Sequence, residues 1–137
     1  MAIRSLHVAS TVPSPVAAEI RRQLAGGPTR LATVATDAEA HLRITAETTE
    51  KNILTLTGAG RVFDYQLRLK IAFQVTDAAG RAIVEPSDFE LRRHLSYSET
   101  APLAKEAEEA QLFADMRREA ATRILRRIAV VTEARKP

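Results

Sequence analysis

The sequence contains no cysteine and no tryptophan, and only four phenylalanines and two tyrosines. Without cysteine there can be no disulfide, no thiolate metal site and no cysteine nucleophile. With so few aromatics, little is available to build a base-stacking platform for single-stranded nucleic acid. The three histidines, His7, His41 and His94, lie far apart, without the spacing of a metal-ligand set. No apolar run approaches the ~18 residues of a membrane-spanning helix. No basic start leads into an apolar stretch, so no signal peptide is visible. Walker-type, GxSxG and HExxH motifs are all missing, and Gly58-Ala59-Gly60 sits in a hairpin rather than between a strand and a helix. Paired acids such as Glu108 and Glu109 fall on a helix surface, where carboxylates are ordinarily solvated. These absences point to a protein that is not an enzyme and that needs no cofactor or metal.

What is present suits a globular fold. The chain has 137 residues, 45% hydrophobic and 27% charged, enough for one domain with its own core. We expect a single domain over residues 1–131 and a flexible polar tail over 132–137. The net charge is only +3, although sixteen arginines stand against four lysines. Base composition of the gene would explain that bias, and so would recognition of phosphate or carboxylate by guanidinium forks.

The hydrophobic pattern gives the order of elements. Residues 2–9 read as a short strand. Ser14-Pro15 caps and opens a helix carrying Val16, Ile20 and Leu24 on one face, and Gly26-Gly27-Pro28 stops it. Residues 38–48 alternate, with Ala40, Leu42, Ile44 and Ala46 on one side and His41, Arg43 and Glu47 on the other. Lys51-Asn52 reads as a bulge before Ile53–Thr57 resumes the strand, and residues 57–60 form a hairpin turn. The next strand is the clearest signal: Phe63, Tyr65, Leu67, Leu69, Ile71, Phe73 and Val75 alternate with polar residues. A turn at 77–80 leads to a strand over about 81–97 carrying Pro86, which suits an edge. Arg93 stands oddly among that strand's apolar residues. The last element is a long helix from Pro102 to about Ile128, with Leu103, Ala107, Ala110, Ala114, Ala121, Leu125 and Ile128 along its apolar stripe. The fold class is therefore α+β: a two-layer α/β sandwich of order β-α-β-β-β-α, with two helices on one face of a four-stranded sheet. The other sheet face is polar, a solvated surface or the wall of a partner.

The long helix carries its acids early and its arginines, Arg117 to Arg127, late, as the helix dipole favours. Lys105 breaks the rule, because a cation in the first turn opposes the dipole. An ion pair with Glu108 or Glu109 is the ordinary explanation; an anionic ligand at the tip of the sandwich is the other.

The run Leu103-Ala-Lys-Glu-Ala-Glu-Glu-Ala110, continued by Leu112, Asp115–Arg118, Ala120-Ala121 and Ile124–Arg127, resembles the LPS-assembly lipoprotein family, LptE. Tyr65-Gln66 opening a hydrophobic strand after a glycine hairpin adds to the likeness, which covers about residues 3–130. The resemblance implies a non-enzymatic component of lipopolysaccharide transport at the periplasmic face of the outer membrane. Such a component binds lipopolysaccharide, and plugs and helps assemble the LptD β-barrel. It also implies an N-terminal lipid anchor on a cysteine upstream of this chain. The family's lipopolysaccharide-binding lysine falls on Lys105. A second basic residue of some members, before the hairpin glycine, has no match here; Arg61, just past the turn, is the nearest substitute, and Arg93 is a further candidate. The other readings of the composition are a small basic nucleic-acid-binding module, whose binding would fall steeply with salt, and a periplasmic adaptor that binds only proteins.

Overall fold

The computed structural model describes residues 1–56, 58–60, 62–98 and 100–134, with Val62 and Phe63 as backbone only. Strand β1 (Ser5–Ser10) leads to helix α1 (Pro15–Leu24). A short strand β2 (Arg30–Ala32) and one 3-10 turn (Ala35–Asp37) follow. Strands β3 (Ala40–Leu56), β4 (Val62–Asp77) and β5 (Ala82–Ser96) then form a meander, and helix α2 (Pro102–Ala134) closes the chain.

The architecture is α+β, two helices on a mixed sheet, but the sheet has five strands in the order β2-β1-β3-β4-β5. The expected four-stranded sheet and the order β-α-β-β-β-α lack β2. Three residues are too few for alternation to show. β2 is an edge strand added parallel to β1, pairing Ser5 with Arg30 and His7 with Ala32, and the Arg30 amide donates to the Arg4 carbonyl at 2.8 Å. β1 is also parallel to β3, and the remaining pairs are antiparallel.

The core lies between the helices and one face of the sheet. Leu6 and Val8 of β1, Leu42 and Ile44 of β3, and Leu67, Leu69, Ile71 and Val75 of β4 are buried, together with Leu91 and Leu95 of β5. Val16, Ile20 and Leu24 of α1, with Met116, Ile124 and Ile128 of α2, meet them. The period-two pattern of β4 and the four-residue spacing on α1 make this possible, because each turns one apolar face inward. Burying a side chain of this size contributes about 1.5–3 kcal/mol, and this cluster is the main source of stability.

α2 differs from expectation at both ends. Its stripe is buried only from about Leu112 onward: Leu103 is 78% exposed, and Ala107 and Ala110 also face solvent. The helix then runs past Ile128 to Ala134, so the first three residues assigned to a tail are helical. Thr132 is buried there, its hydroxyl donating to the Ile128 carbonyl at 2.7 Å. This i−4 bond within the helix satisfies a group that reads as polar tail.

The largest departure is in β3. Ile44 opposes Phe73 and Ala46 opposes Ala72, which leaves Thr45 as an extra residue. A bulge therefore lies at Thr45 and none at Lys51-Asn52, where pairing is continuous; it swaps the faces of the residues that follow as far as Ile53, where a second register shift passes over Leu54. Glu47, Thr49, Lys51 and Ile53 now oppose Ile71, Leu69, Leu67 and Tyr65 on the helix side. Ala46, expected beside Ile44, turns to the polar face.

The swap aims Glu47 at the start of α1. The Ser14 hydroxyl donates to its carboxylate at 2.6 Å and the Val16 amide does so at 3.2 Å, while Ser14 Oγ accepts from the Ala17 amide at 2.9 Å. Two amides that the first turn would leave without partners are thereby satisfied. Glu47→Ala is expected to lower stability by about 1–2 kcal/mol, whereas Glu85→Ala, an exposed change on β5, should stay within about 0.5 kcal/mol. Urea unfolding of the two variants beside the parent measures both.

Candidate functional site

The sheet outruns its covering. β3 has 17 residues and α1 only 10, which corresponds to at most about 57 Å against 15 Å. The far ends of β4 and β5 consequently meet only the first turns of α2, and residues 51–56 of β3 are exposed. Charged and exposed apolar side chains meet at this overhang.

Lys105 lies here, in the first turn of α2. Its ammonium donates to Glu108 at 2.8 Å and to Ser96 Oγ, at the end of β5, at 2.9 Å. The ion pair proposed as its ordinary explanation is formed, and the side chain keeps 22% of its exposure. Lys51, brought to the helix side by the bulge, sits on the neighbouring flank of the same turns. It pairs with Glu109 at 2.7 Å and lies 4.3 Å from the Tyr65 ring centre. Its ammonium is held above the ordinary lysine value, first by the Glu109 hydrogen bond and in part by that carboxylate's charge. Adjacent glutamates on one helix thus hold two lysines from opposite sides. Around them Leu103, Ile53, Leu54, Leu56 and Tyr97 are exposed, and Tyr97 meets Tyr65 edge-on at 6.2 Å.

Arg93 is not part of this cluster. It faces the helices, and its guanidinium pairs with Glu119 at 3.0 Å. Glu119 is fourteen residues beyond Lys105, about 21 Å along the helix axis. Its odd place in the apolar pattern is thereby explained, since it ties β5 to the middle of α2. Arg61 lies outside the described residues. Lys51, Leu103 and Ile53 were not read as site residues: the sequence places Lys51 in a bulge, Ile53 in the resumed strand and Leu103 in the apolar stripe. Nothing near Thr45 marks the actual bulge by composition, so the side to which Lys51 turns carried no signal.

On the opposite sheet face the charges pair among themselves. Glu50 lies 3.4 Å from Arg68 and 3.3 Å from Lys70, Arg68 reaches Glu90 at 3.4 Å, and Glu90 also holds Arg92. The Glu50 carboxyl is held below its ordinary value, first by the Asn52 hydrogen bond and next by that of Lys70. His94 contacts Asp64 at 2.6 Å. Interleaved acids of this kind occupy cations that a nucleic-acid backbone would need. Among the described residues no group of three His, Asp or Glu could hold a metal ion, and no helix is long and apolar enough to cross a membrane.

The two-layer α+β fold is shared with known lipoproteins. The solution NMR structure of an uncharacterized lipoprotein B from Nitrosomonas europaea is similar over 96% of this chain and 86% of its own, with a TM-score of 0.87 and 26% identity. The crystal structure of the rare lipoprotein B from Shewanella oneidensis matches over 96% and 97%, with a TM-score of 0.80 and 28% identity. A minor lipoprotein from Acinetobacter baumannii shares the fold at a TM-score of 0.74 and 22% identity, over 93% and 91%. No curated protein sequence matches the chain. The family model LptE, Lipopolysaccharide-assembly, matches residues 3–128, and the chain belongs to that family. It is therefore a lipopolysaccharide-assembly protein of the lipoprotein type, in a family whose role is not enzymatic.

The Lys51–Glu109 pair is half exposed, so solvent screens it. A double-mutant cycle of Lys51→Met and Glu109→Gln should give a coupling below about 1 kcal/mol at pH 7. Because the folded state raises the lysine's affinity for its proton, the contribution is fully present at neutral pH. It fades as pH rises past the ordinary value of 10.5 and through the raised one. Unfolding measured at pH 7 and pH 11 checks the sign.

Proposed function

We propose that this protein binds lipopolysaccharide at the overhang around Lys105, and that it plugs the LptD β-barrel and helps it assemble. It does so at the periplasmic face of the outer membrane, held by a lipid anchor upstream of this chain. The observation that carries the reading is the family match over residues 3–128, which includes the turns of α2 bearing Lys105. Three features of the fold support it. Lys105 and Lys51 sit among exposed apolar side chains, an arrangement that suits an amphiphile with anionic phosphates. Their glutamate partners hold them by surface ion pairs worth at most about 1 kcal/mol, which a phosphate carrying up to two charges can displace. The polar, ion-paired sheet face suits the water-filled lumen of a large barrel. Arg93, engaged with Glu119, is assigned no direct contact, and Arg61 stays a secondary candidate on sequence grounds alone.

The test is lipopolysaccharide binding by the purified protein beside Lys105→Glu, at low and moderate salt. The reversal should weaken binding about tenfold, with a larger effect at low salt. Unchanged binding would move the site away from Lys105. Co-purification with the barrel tests the plug role separately, and Lys105→Glu should leave it intact. Binding to duplex or single-stranded DNA that falls steeply with salt would instead favour a nucleic-acid module.

A further inference from the structure

A second cationic site lies on α2 away from Lys105, along the outer flank of β5. A groove of about 380 Å³ runs between them. Phe73 and Phe89, packed edge-to-face at 6.2 Å, form its floor with Val130, which is 62% exposed. Arg123, Arg126 and Arg127 form its rim. Arg123 lies over the Phe89 ring at 5.4 Å and reaches Glu119 only at 4.0 Å, a carboxylate already taken by Arg93 at 3.0 Å. Among the described residues, Arg126 and Arg127 have no acidic partner. Asp88 stands on the groove wall without an ion pair of its own, so three guanidiniums face one free carboxylate.

The helix dipole does not account for this cluster. It would if α2 ended near Ile128, but the helix runs to Ala134 and its last turn carries no basic residue. The dipole's influence is confined to the last turn. The position of the groove is also informative. The Ala2 amide donates to Thr132 Oγ1 at 3.3 Å, so the N-terminal segment is tied to the same end of α2. An anchor upstream of residue 1 would bring this end to the membrane.

We infer that the groove binds the phosphate of an anionic phospholipid, with Arg126 and Arg127 on the phosphate and Phe73, Phe89 and Val130 against the apolar part of the lipid. This rests on the outer-membrane placement proposed above, and not on Lys105. Charge complementarity selects an anion and the apolar floor selects an amphiphile. Closeness to the N-terminal segment selects the bilayer as its source.

The experiment is co-sedimentation with vesicles of phosphatidylcholine alone and of phosphatidylcholine with one third phosphatidylglycerol. It compares the parent protein, the double variant Arg126→Gln/Arg127→Gln, and Arg118→Gln, an exposed arginine of α2 outside both sites. The parent should partition at least about tenfold better onto the anionic vesicles. The double variant should fall to within about twofold of its binding to neutral vesicles, and Arg118→Gln should behave as the parent. Both arginines are exposed, and an unchanged thermal unfolding midpoint shows that the double variant folds. In amide NMR spectra, dihexanoyl phosphatidylglycerol should shift residues 87–89 and 123–130, and inorganic phosphate at equal concentration should shift them far less. The proposal is overturned by no preference for anionic vesicles, by a preference the double variant keeps, or by an equal loss in Arg118→Gln. Equal shifts with inorganic phosphate would make this a free-anion site and overturn the lipid assignment. None of these outcomes depends on whether the overhang binds lipopolysaccharide.

Discussion

The position of one extra residue in β3 controls what both helices can do. Before Thr45 the strand turns Leu42 and Ile44 into the core; after it the same face carries Glu47, Thr49 and Lys51. A continuous strand would have sent Glu47 and Lys51 to the outer face and Ala46 inward. α1 would then lose the carboxylate that receives Ser14 and Val16, and α2 would lose the lysine that meets Glu109. Slipping the register by one residue exchanges every side chain between faces, so the bulge serves both ends of the molecule. Near α1 it supplies a cap, and at the overhang it supplies a cation.

The second constraint is length. A ten-residue helix cannot cover a seventeen-residue strand, and α2 covers the remainder from one side only. The chain answers with composition: aliphatic residues fill the inward face of β3 up to the bulge, and charged or hydroxyl residues take that face as far as Lys51. Ile53, Leu54 and Leu56, together with Leu103 of α2, are exposed apolar exceptions to that economy. Exposed apolar side chains gathered beside paired lysines offer a surface for another molecule, whereas isolated ones would need no explanation.

Much of this was legible in the chain. Alternation along β4 located the core face, Ser14-Pro15 marked the start of α1, and Gly80, at φ 83°, marked the turn into β5. Lys105 was visible because it violates a physical preference, and the ion pair that resolves the violation was named beforehand. Arg93 was visible as a charge in an apolar row, but its partner 26 residues away was not. The illegible parts have physical causes. β2 is too short to carry a period, and Thr45 is an ordinary strand residue whose role is set by pairing with β4. The end of α2 was hidden because Thr132 satisfies its own hydroxyl inside the helix.

α2 thus separates two kinds of cation. At its start each lysine is matched by its own glutamate, so the overhang is close to neutral and an incoming group must displace a carboxylate. A monoanion would exchange one single charge for another and gain little. A more highly charged group, with apolar substituents that also cover Leu103 and Ile53, gains on both counts. On the proposed reading the pairing would act as a filter: the glutamates would keep the lysines ordered and make weak anions poor competitors. Further along, among the described residues Arg126 and Arg127 have no carboxylate paired to them, and Asp88 on the groove wall leaves the cations in excess. A molecule held between an assembly partner and a membrane would use these two ends differently, with selection at the matched end and simple adhesion at the unmatched one.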